Sequence, residues 1–126
     1  MSKIEEQIAY WRDSALEEWE VANELLTLNR IRHALFWAHL ALEKMVKAHV
    51  LHHTKHEPPK IHNLSRLVTL THLELDQDKR HLLAEMNRFN IEGRYSSNPI
   101  ALPDAEQVQM YWSRIEGTLQ WLVKQF

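Results

Sequence analysis

Four histidines in the middle of the chain have a spacing that could bind a metal ion. The adjacent pair His52 and His53 follows His49 by three and four residues. His56 follows the same pair by four and three residues, which places imidazoles one helical turn from each other. Imidazole pairs of this kind can chelate zinc, nickel or copper. Glu57 is the one carboxylate beside them, and no His-Glu-x-x-His order occurs. We therefore expect a solvated, metal-avid helix end and no physiological metal site.

A second set of polar residues falls on one strip of an otherwise apolar helix. Arg32, His39, Glu43 and Lys47 follow one another at intervals of seven and four residues. A partly buried His–Glu pair can transfer protons, or it can satisfy two polar groups inside a helical bundle. The spacing favours the structural role for His39 and Glu43 and leaves the acid–base role as the alternative.

Composition excludes several other kinds of active site. The chain has no cysteine, which rules out thiolate nucleophiles, disulfide scaffolds and thiolate-bound zinc or iron–sulfur sites. Its two isolated glycines cannot form a glycine-rich phosphate loop. Ser96 and Ser97 lack the glycine neighbours of a nucleophile elbow. We therefore do not expect a hydrolase of these types.

Charged residues are segregated along the chain. Residues 1–26 contain seven acids and two bases, whereas residues 30–66 contain seven bases, two acids and seven of the nine histidines. The basic stretch could form a surface that faces phosphate or nucleic acid. Alternatively, an acidic first helix could lie beside a basic second helix and offset its charge. We favour this second interpretation, because the formal net charge is −2 and the motifs of single-strand readers are missing. RNA is therefore a less favoured ligand.

Apolar residues recur every three or four positions along most of the chain, which is typical of amphipathic helices. Asn29 is a plausible N-cap for the second helix, and Asp104 with Gln107 has the pattern of a capping box for the last. Pro58 and Pro59 end the second helix, since proline cannot continue one. The predicted helices span about residues 2–27, 29–53, 63–70, 76–92 and 104–126.

This pattern predicts an all-α fold: an up-and-down antiparallel four-helix bundle with one additional short helix. With 126 residues, a single domain covering 1–126 is expected. The second helix should be the most buried, and Gly93 should follow the end of the fourth. No apolar run approaches the ~20 residues of a membrane span, and the acidic start is unlike a signal peptide. We therefore expect a cytoplasmic protein.

Three segments resemble the HEPN family (higher eukaryotes and prokaryotes nucleotide-binding domains). The segment ALFWAHLALEKMVKA, residues 34–48, is similar to a signature helix that carries Gln or His, then Glu-Lys, then Lys-Ala. Residues 61–64, IHNL, resemble the family's Thr-His-Asp-Leu turn into a short third helix. Residues 93–96, GRYS, resemble its Ala-Arg-Tyr-Pro element after the fourth helix. The motifs occur in the family's order and cover essentially the whole chain.

The resemblance implies a helical bundle that pairs as a homodimer. Some HEPN members are ribonuclease toxins, in which an arginine is followed a few residues later by a histidine. Arg94 matches the arginine, but Pro99, Ile100 and Ala101 stand where the histidine belongs. We therefore do not carry the ribonuclease activity over.

Other HEPN proteins work with a small nucleotidyltransferase as a two-component, toxin–antitoxin-like system. The resemblance then implies a helical subunit that helps to bind nucleotide or substrate. Arg94 could make bidentate phosphate contacts, and Tyr95 could stack or donate a hydrogen bond. In the alternative, Arg94 pairs with a carboxylate such as Glu43, and Tyr95 packs in the bundle.

The favoured hypothesis is a non-catalytic HEPN binding module without a cofactor, which takes a nucleotide or phosphate group. The predicted ligand-binding residues are Arg94, Tyr95, His39, Glu43, Arg32 and Lys47. No catalytic and no metal-binding residue is predicted. The alternatives are a ribonuclease toxin with a non-standard histidine and a purely structural dimer. The proposed pocket requires the Arg94 guanidinium to lie close to His39 and Glu43.

Overall fold

Five α-helices and one 3₁₀ turn make up the structure, a computed structural model that describes residues 2–90 and 101–126. No strand occurs in these two ranges, and the all-α prediction is confirmed. The elements are α1 (Lys3–Thr27), α2 (Ile31–Thr54), α3 (Leu64–Val68), α4 (Gln77–Met86), the 3₁₀ turn (Asn87–Phe89) and α5 (Ala105–Val123).

Contacts near both ends of α5 define its direction in the bundle. Trp112 stacks on Trp19 with ring centroids 5.0 Å apart, and its indole N–H donates to the Asn23 side chain at 2.8 Å. At the other end, Phe126 stacks on His49 with centroids 3.8 Å apart. Asn23 lies near the end of α1 and His49 near the end of α2, so α5 runs antiparallel to α1 and parallel to α2. The helix α4 is antiparallel to α5, because Glu85 near the end of α4 bonds Tyr111 while Asp78 near its start bonds Arg114. The four long helices therefore alternate in direction.

The second helix is the most buried element, as predicted. Fourteen of its 24 residues are buried, whereas α1 buries three of 25. Most are apolar, but His39, Glu43, Lys47 and His49 are buried too. A central helix with polar groups on one strip obliges neighbouring elements to supply hydrogen-bond partners.

Small side chains allow α1 to pack closely on α2. The residues that α1 buries, Ile8, Ala15 and Ala22, recur every seven positions on one stripe. The facing helix buries four alanines that are 0% exposed: Ala34, Ala38, Ala41 and Ala48. The distance between two helix axes depends on the side chains at the contact. This alanine-rich seam therefore brings the two backbones together, and it is the most extensive helix contact among the described residues.

Four helix starts were predicted correctly, the first of them capped by Ser2, whose Oγ accepts the Glu5 N–H. Asp104 caps α5, and Asp104 with Gln107 forms both hydrogen bonds of a capping box. Asn63 and Asp76 cap α3 and α4 through side-chain oxygens that accept backbone N–H groups. These caps satisfy N–H groups that have no partner within the helix.

The predicted N-cap of α2 is wrong, because Asn29 ends α1 instead. Asn29 has a φ of 59°, and the N–H groups of Asn29 and Arg30 donate to the carbonyls of Leu26 and Leu25. This is a Schellman motif, in which asparagine tolerates the left-handed backbone. Arg30 occupies the N-cap of α2 without a side-chain cap.

Other helix ends also differ from the prediction. The helix α3 ends at Val68 and α5 at Val123, while α2 extends to Thr54. The helix α4 ends at Met86, and the 3₁₀ turn continues to Phe89. The predicted end at about residue 92 is therefore wrong, because Asn90 is already extended. The role of Gly93 lies outside the described residues. None of the described helices has the length and apolar character needed to span a bilayer.

Replacing Ala15 by leucine tests the alanine seam. Ala15→Leu should lower the free energy of unfolding by about 1–3 kcal/mol, because the added side chain must push α1 away from α2. Urea unfolding followed by circular dichroism measures this. Ala84→Leu is the matched control, since Ala84 is exposed on α4. An equal loss of stability in both variants would contradict close packing at the seam.

Candidate functional site

A buried carboxylate is the centre of the main polar cluster in the bundle. Glu43 is 4% exposed, and its Oε2 accepts a hydrogen bond from Lys47 Nζ at 3.0 Å, one turn along the same helix. His62 Nδ1 lies 3.1 Å from Oε1 and 3.2 Å from Oε2 of the same group. The Lys47 ammonium also lies 5.7 Å from the ring centroid of Trp11, in cation–π range. Glu43 therefore joins α2 to the loop before α3, and Lys47 joins the cluster to α1.

His39 belongs to the same strip but makes a weaker contact with Glu43. Its Nδ1 lies 3.9 Å from Glu43 Oε1, beyond hydrogen-bond distance. Burial lowers the pKa of His39, with the Glu43 carboxylate working against that shift. His39 is 1% exposed, and hydrogen bonding to the His62 backbone and the Asn87 side chain also works against the lowering of its pKa. A neutral His39 beside a bonded Glu43 fits the structural role better than proton transfer between the two.

The side chain that Glu43 orients is His62. An ionised carboxylate only accepts hydrogen bonds, so His62 Nδ1 carries the proton it donates. In the neutral ring, Nε2 is then the nitrogen that carries the lone pair. The His62 side chain is 37% exposed, whereas Glu43 is 5% exposed in its side chain. The buried Glu43 carboxylate therefore orients an imidazole that is partly exposed to solvent.

Two asparagines fix the loop that carries His62. The side-chain oxygen of Asn87 accepts the Leu64 N–H at 2.8 Å, and its amide donates to Asn63 Oδ1 at 3.3 Å. Asn63 also caps α3 by accepting the Arg66 N–H. The first turn of α3 is thereby tied to the end of α4, and His62, one residue earlier, is held against α2.

The structure brings together three of the six predicted ligand-binding residues. His39, Glu43 and Lys47 lie in the buried cluster, whereas Arg32 is exposed. No hydrogen bond or ion pair joins Arg32 to the cluster among the residues that the structure describes. Arg94 and Tyr95 lie outside the described residues, and so does the predicted approach of Arg94 to Glu43.

Sequence reasoning missed the pairing of His62 with Glu43. It noted residues 61–64 as a family motif but had no reason to connect positions 19 residues apart. The signal was the asparagine N-cap directly after His62, which marks a fixed helix start. A capped turn that follows two prolines is a place where a side chain can be held in one orientation.

The charge pattern of the first two helices is partly explained by pairing between them. Lys44 Nζ lies 2.6 Å from Glu18 Oε1 and 2.7 Å from Ser14 Oγ. With Lys47 bound to Glu43, two of the seven bases in residues 30–66 are offset within the bundle. The interpretation of two adjacent helices with opposite charge is confirmed for Lys44. Arg30, Arg32, Lys55, Lys60 and Arg66 remain exposed.

The histidine-rich end of α2 is not uniformly solvated, contrary to the prediction. His49 is 0% exposed, its Nε2 lies 2.8 Å from the Leu122 carbonyl, and its ring stacks on Phe126. The Arg12 guanidinium lies 4.8 Å from the centroid of that phenyl ring. His53 and His56 are exposed, as expected. The described residues contain no group of three or more His, Cys, Asp or Glu side chains able to hold a metal ion.

Truncating Glu43 should destabilise the domain strongly. Glu43→Ala leaves the Lys47 ammonium buried without its carboxylate, and we expect a loss of about 3 kcal/mol in urea unfolding at neutral pH. Glu43→Leu combined with Lys47→Met should recover most of this loss, because no unpaired charge remains. Glu18→Ala is the control, since its pair with Lys44 is more exposed and should contribute less than about 1 kcal/mol. Equal losses at Glu18 and Glu43 would contradict the central role of Glu43.

Acidification should destabilise the domain through His49. Burial lowers the pKa of His49 from 6.5 to about 4, so the unfolded chain binds the proton first as the pH falls. Stability from this group is complete above pH 6.5 and lost progressively towards pH 4, by up to about 3 kcal/mol. The measurement is the free energy of unfolding at several pH values.

His49→Gln removes this titrating ring and should reduce the loss of stability between pH 6.5 and 4; the part that remains includes the contribution of buried His39, whose pKa is also lowered. His81→Gln is the control, because His81 is exposed on α4 and its replacement should leave the profile unchanged. An unchanged profile in His49→Gln would show that His49 does not titrate in this way.

Comparison with known proteins agrees with the all-α fold. No curated protein and no solved structure matches the chain significantly. The HEPN domain family matches residues 8–125, which is nearly the whole chain and includes α2, the His62 loop and α5. The chain therefore belongs to the HEPN domain family.

Proposed function

We propose that this chain is a non-catalytic HEPN binding module that takes the phosphate of a nucleotide beside His62. The observation that carries the proposal is the oriented imidazole of His62, held at Nδ1 by Glu43 and 37% exposed. An imidazole that carries a proton on both ring nitrogens is positively charged and can donate to a phosphate oxygen. Glu43 would then act as a positioning residue and not as a ligand.

Exposed bases on the same part of the chain support an anionic ligand. Lys60 lies two residues before His62, and Arg66 lies on the first turn of α3; both are exposed. By contrast, Lys47 is buried against Glu43, so it contributes to the cluster and not to an open phosphate site. Arg94 and Tyr95 remain in the proposal on the basis of the sequence motif alone.

The protein partner in this proposal is a small nucleotidyltransferase, and the chain itself forms a homodimer. Both statements rest on the resemblance of residues 34–48, 61–64 and 93–96 to HEPN motifs. In such a pair the HEPN subunit contributes a wall of the nucleotide site and the partner contributes the chemistry. This division suits a site with one oriented imidazole and no glycine-rich phosphate loop.

A second candidate is a ribonuclease that uses a non-standard histidine, and the Glu43–His62 pair favours it. A carboxylate that orients an exposed imidazole is an arrangement able to move protons in phosphodiester cleavage. His62 would then replace the histidine that the family's ribonucleases carry after their arginine. In the first candidate His62 only binds the phosphate, whereas in the second it moves protons during cleavage. Expression in cells distinguishes the two.

Titration of the full chain with ATP tests the proposed site. Isothermal calorimetry should detect binding that weakens as salt is raised, because a charge-assisted contact with phosphate is screened by ions. His62→Ala should weaken binding at pH 6 about tenfold, the loss expected for one charge-assisted hydrogen bond. His81→Ala, at an exposed histidine on α4, is the matched control and should bind as the unchanged chain does.

Several outcomes would overturn the proposal. Absence of any ATP effect on calorimetry and thermal melting would favour a purely structural dimer. An affinity for ATP that His62→Ala leaves unchanged would exclude His62 as the ligand. Growth arrest with RNA cleavage on expression, abolished by His62→Ala and by Arg94→Ala, would favour the ribonuclease.

A further inference from the structure

A groove away from the Glu43 cluster lies between the first half of α1 and the loop after α2. Its volume is about 390 Å³, and Trp11, Leu51 and Pro58 supply apolar surface. Leu51 is 2% exposed and Pro58 is buried, so this surface rests on the folded core. The volume lies within the range of sites that hold small ligands or single side chains.

Two aromatic rings of α1 line this groove, and one of them is unusually exposed. Tyr10 is 68% exposed, although neighbouring positions of α1 such as Ile8 face the core. Its ring meets Trp11 edge to face, with centroids 6.2 Å apart and an interplanar angle of 73°. Trp11 packs against the small cluster of Ile8, Ala48 and Leu51. The two rings therefore form an aromatic surface that Trp11 fixes to the core and that stays partly exposed in the folded chain.

The charges around the groove favour a cation over an anion. Two carboxylates line it, Glu6 from α1 and Glu57 from the loop, and Lys3 is the one basic residue among its described lining. Lys47 approaches Trp11, but its charge is already paired with Glu43 at 3.0 Å. A phosphate here would meet two carboxylates, so this groove is distinct in chemistry from the proposed site at His62.

We propose that this groove binds an arginine side chain of a partner protein. A guanidinium stacks on aromatic rings, pairs with carboxylates through two parallel hydrogen bonds, and is weakly hydrated for a cation. Glu6 and Glu57 with Tyr10 and Trp11 supply both kinds of contact. Tyrosine, tryptophan and arginine are also the residues that dominate protein–protein interfaces. The proposal deepens the proposed function, on which it rests for the existence of a protein partner.

The test is binding of the capped pentapeptide Gly-Gly-Arg-Gly-Gly to the full chain, followed by ¹H–¹⁵N NMR. We expect saturable shifts of the Trp11 indole and the Tyr10 backbone amide that weaken as salt is raised. Glu6→Gln combined with Glu57→Gln should weaken binding about tenfold, as expected for loss of a charge-assisted contact. Tyr10→Ala should also weaken it, through loss of stacking.

A matched control removes the same charge elsewhere on α1. Glu17→Gln combined with Glu20→Gln alters two exposed carboxylates outside the groove and should leave the affinity unchanged. Equal weakening by both double variants would mean that only the overall negative charge of the chain matters, and would overturn the proposal. Equal affinity for a peptide with lysine or citrulline in place of arginine would overturn it as well.

Failure of this inference can be told from failure of the nucleotide site. The groove variants should bind ATP as the unchanged chain does, while His62→Ala should bind the peptide normally. If ATP binds and the peptide does not, the groove proposal is wrong and the nucleotide site stands. If the peptide binds and ATP does not, the nucleotide-site proposal is wrong and the groove proposal stands.

Discussion

The requirement to pair a buried carboxylate constrains much of this domain. Glu43 lies on the most buried helix, where an unpaired charge would cost several kcal/mol. One partner, Lys47, comes from the next turn of the same helix, but the other, His62, comes from a loop. The loop must therefore stay against α2, and the Asn63 and Asn87 hydrogen bonds hold it there. A structural need thus produces an oriented, partly exposed imidazole.

Close packing of α1 and α2 makes this arrangement possible. Alanines on both helices bring the backbones together, so Trp11 of α1 reaches the Lys47 ammonium and Glu18 reaches Lys44. Part of the opposite charge of the two helices is paired inside the bundle, as Lys44 with Glu18 shows. Tyr10 and Glu6, on the outer side of the same helix, remain available to solvent. One helix therefore serves both the packing of the buried cluster and the surface of a separate groove.

Local signals in the sequence predicted the helices better than their ends. The capping box at Asp104 was recognised because its two hydrogen bonds involve residues three positions apart. Asn29 was assigned to the wrong helix end, since asparagine suits both an N-cap and a left-handed turn. Similarly, His49 was expected in solvent, because histidine spacing does not reveal that Phe126 and Leu122 cover the ring.

The sequence by itself determined the all-α class, the central position of α2 and the polar strip of His39, Glu43 and Lys47. These follow from periodicity, which is a property of neighbouring residues and needs no knowledge of distant ones. Only the tertiary structure decided that Glu43 bonds His62 and not His39, and that Arg32 stays apart from the cluster. The physical reason is that hydrogen bonding acts over about 3 Å, and which loop comes within that distance depends on how the whole bundle packs.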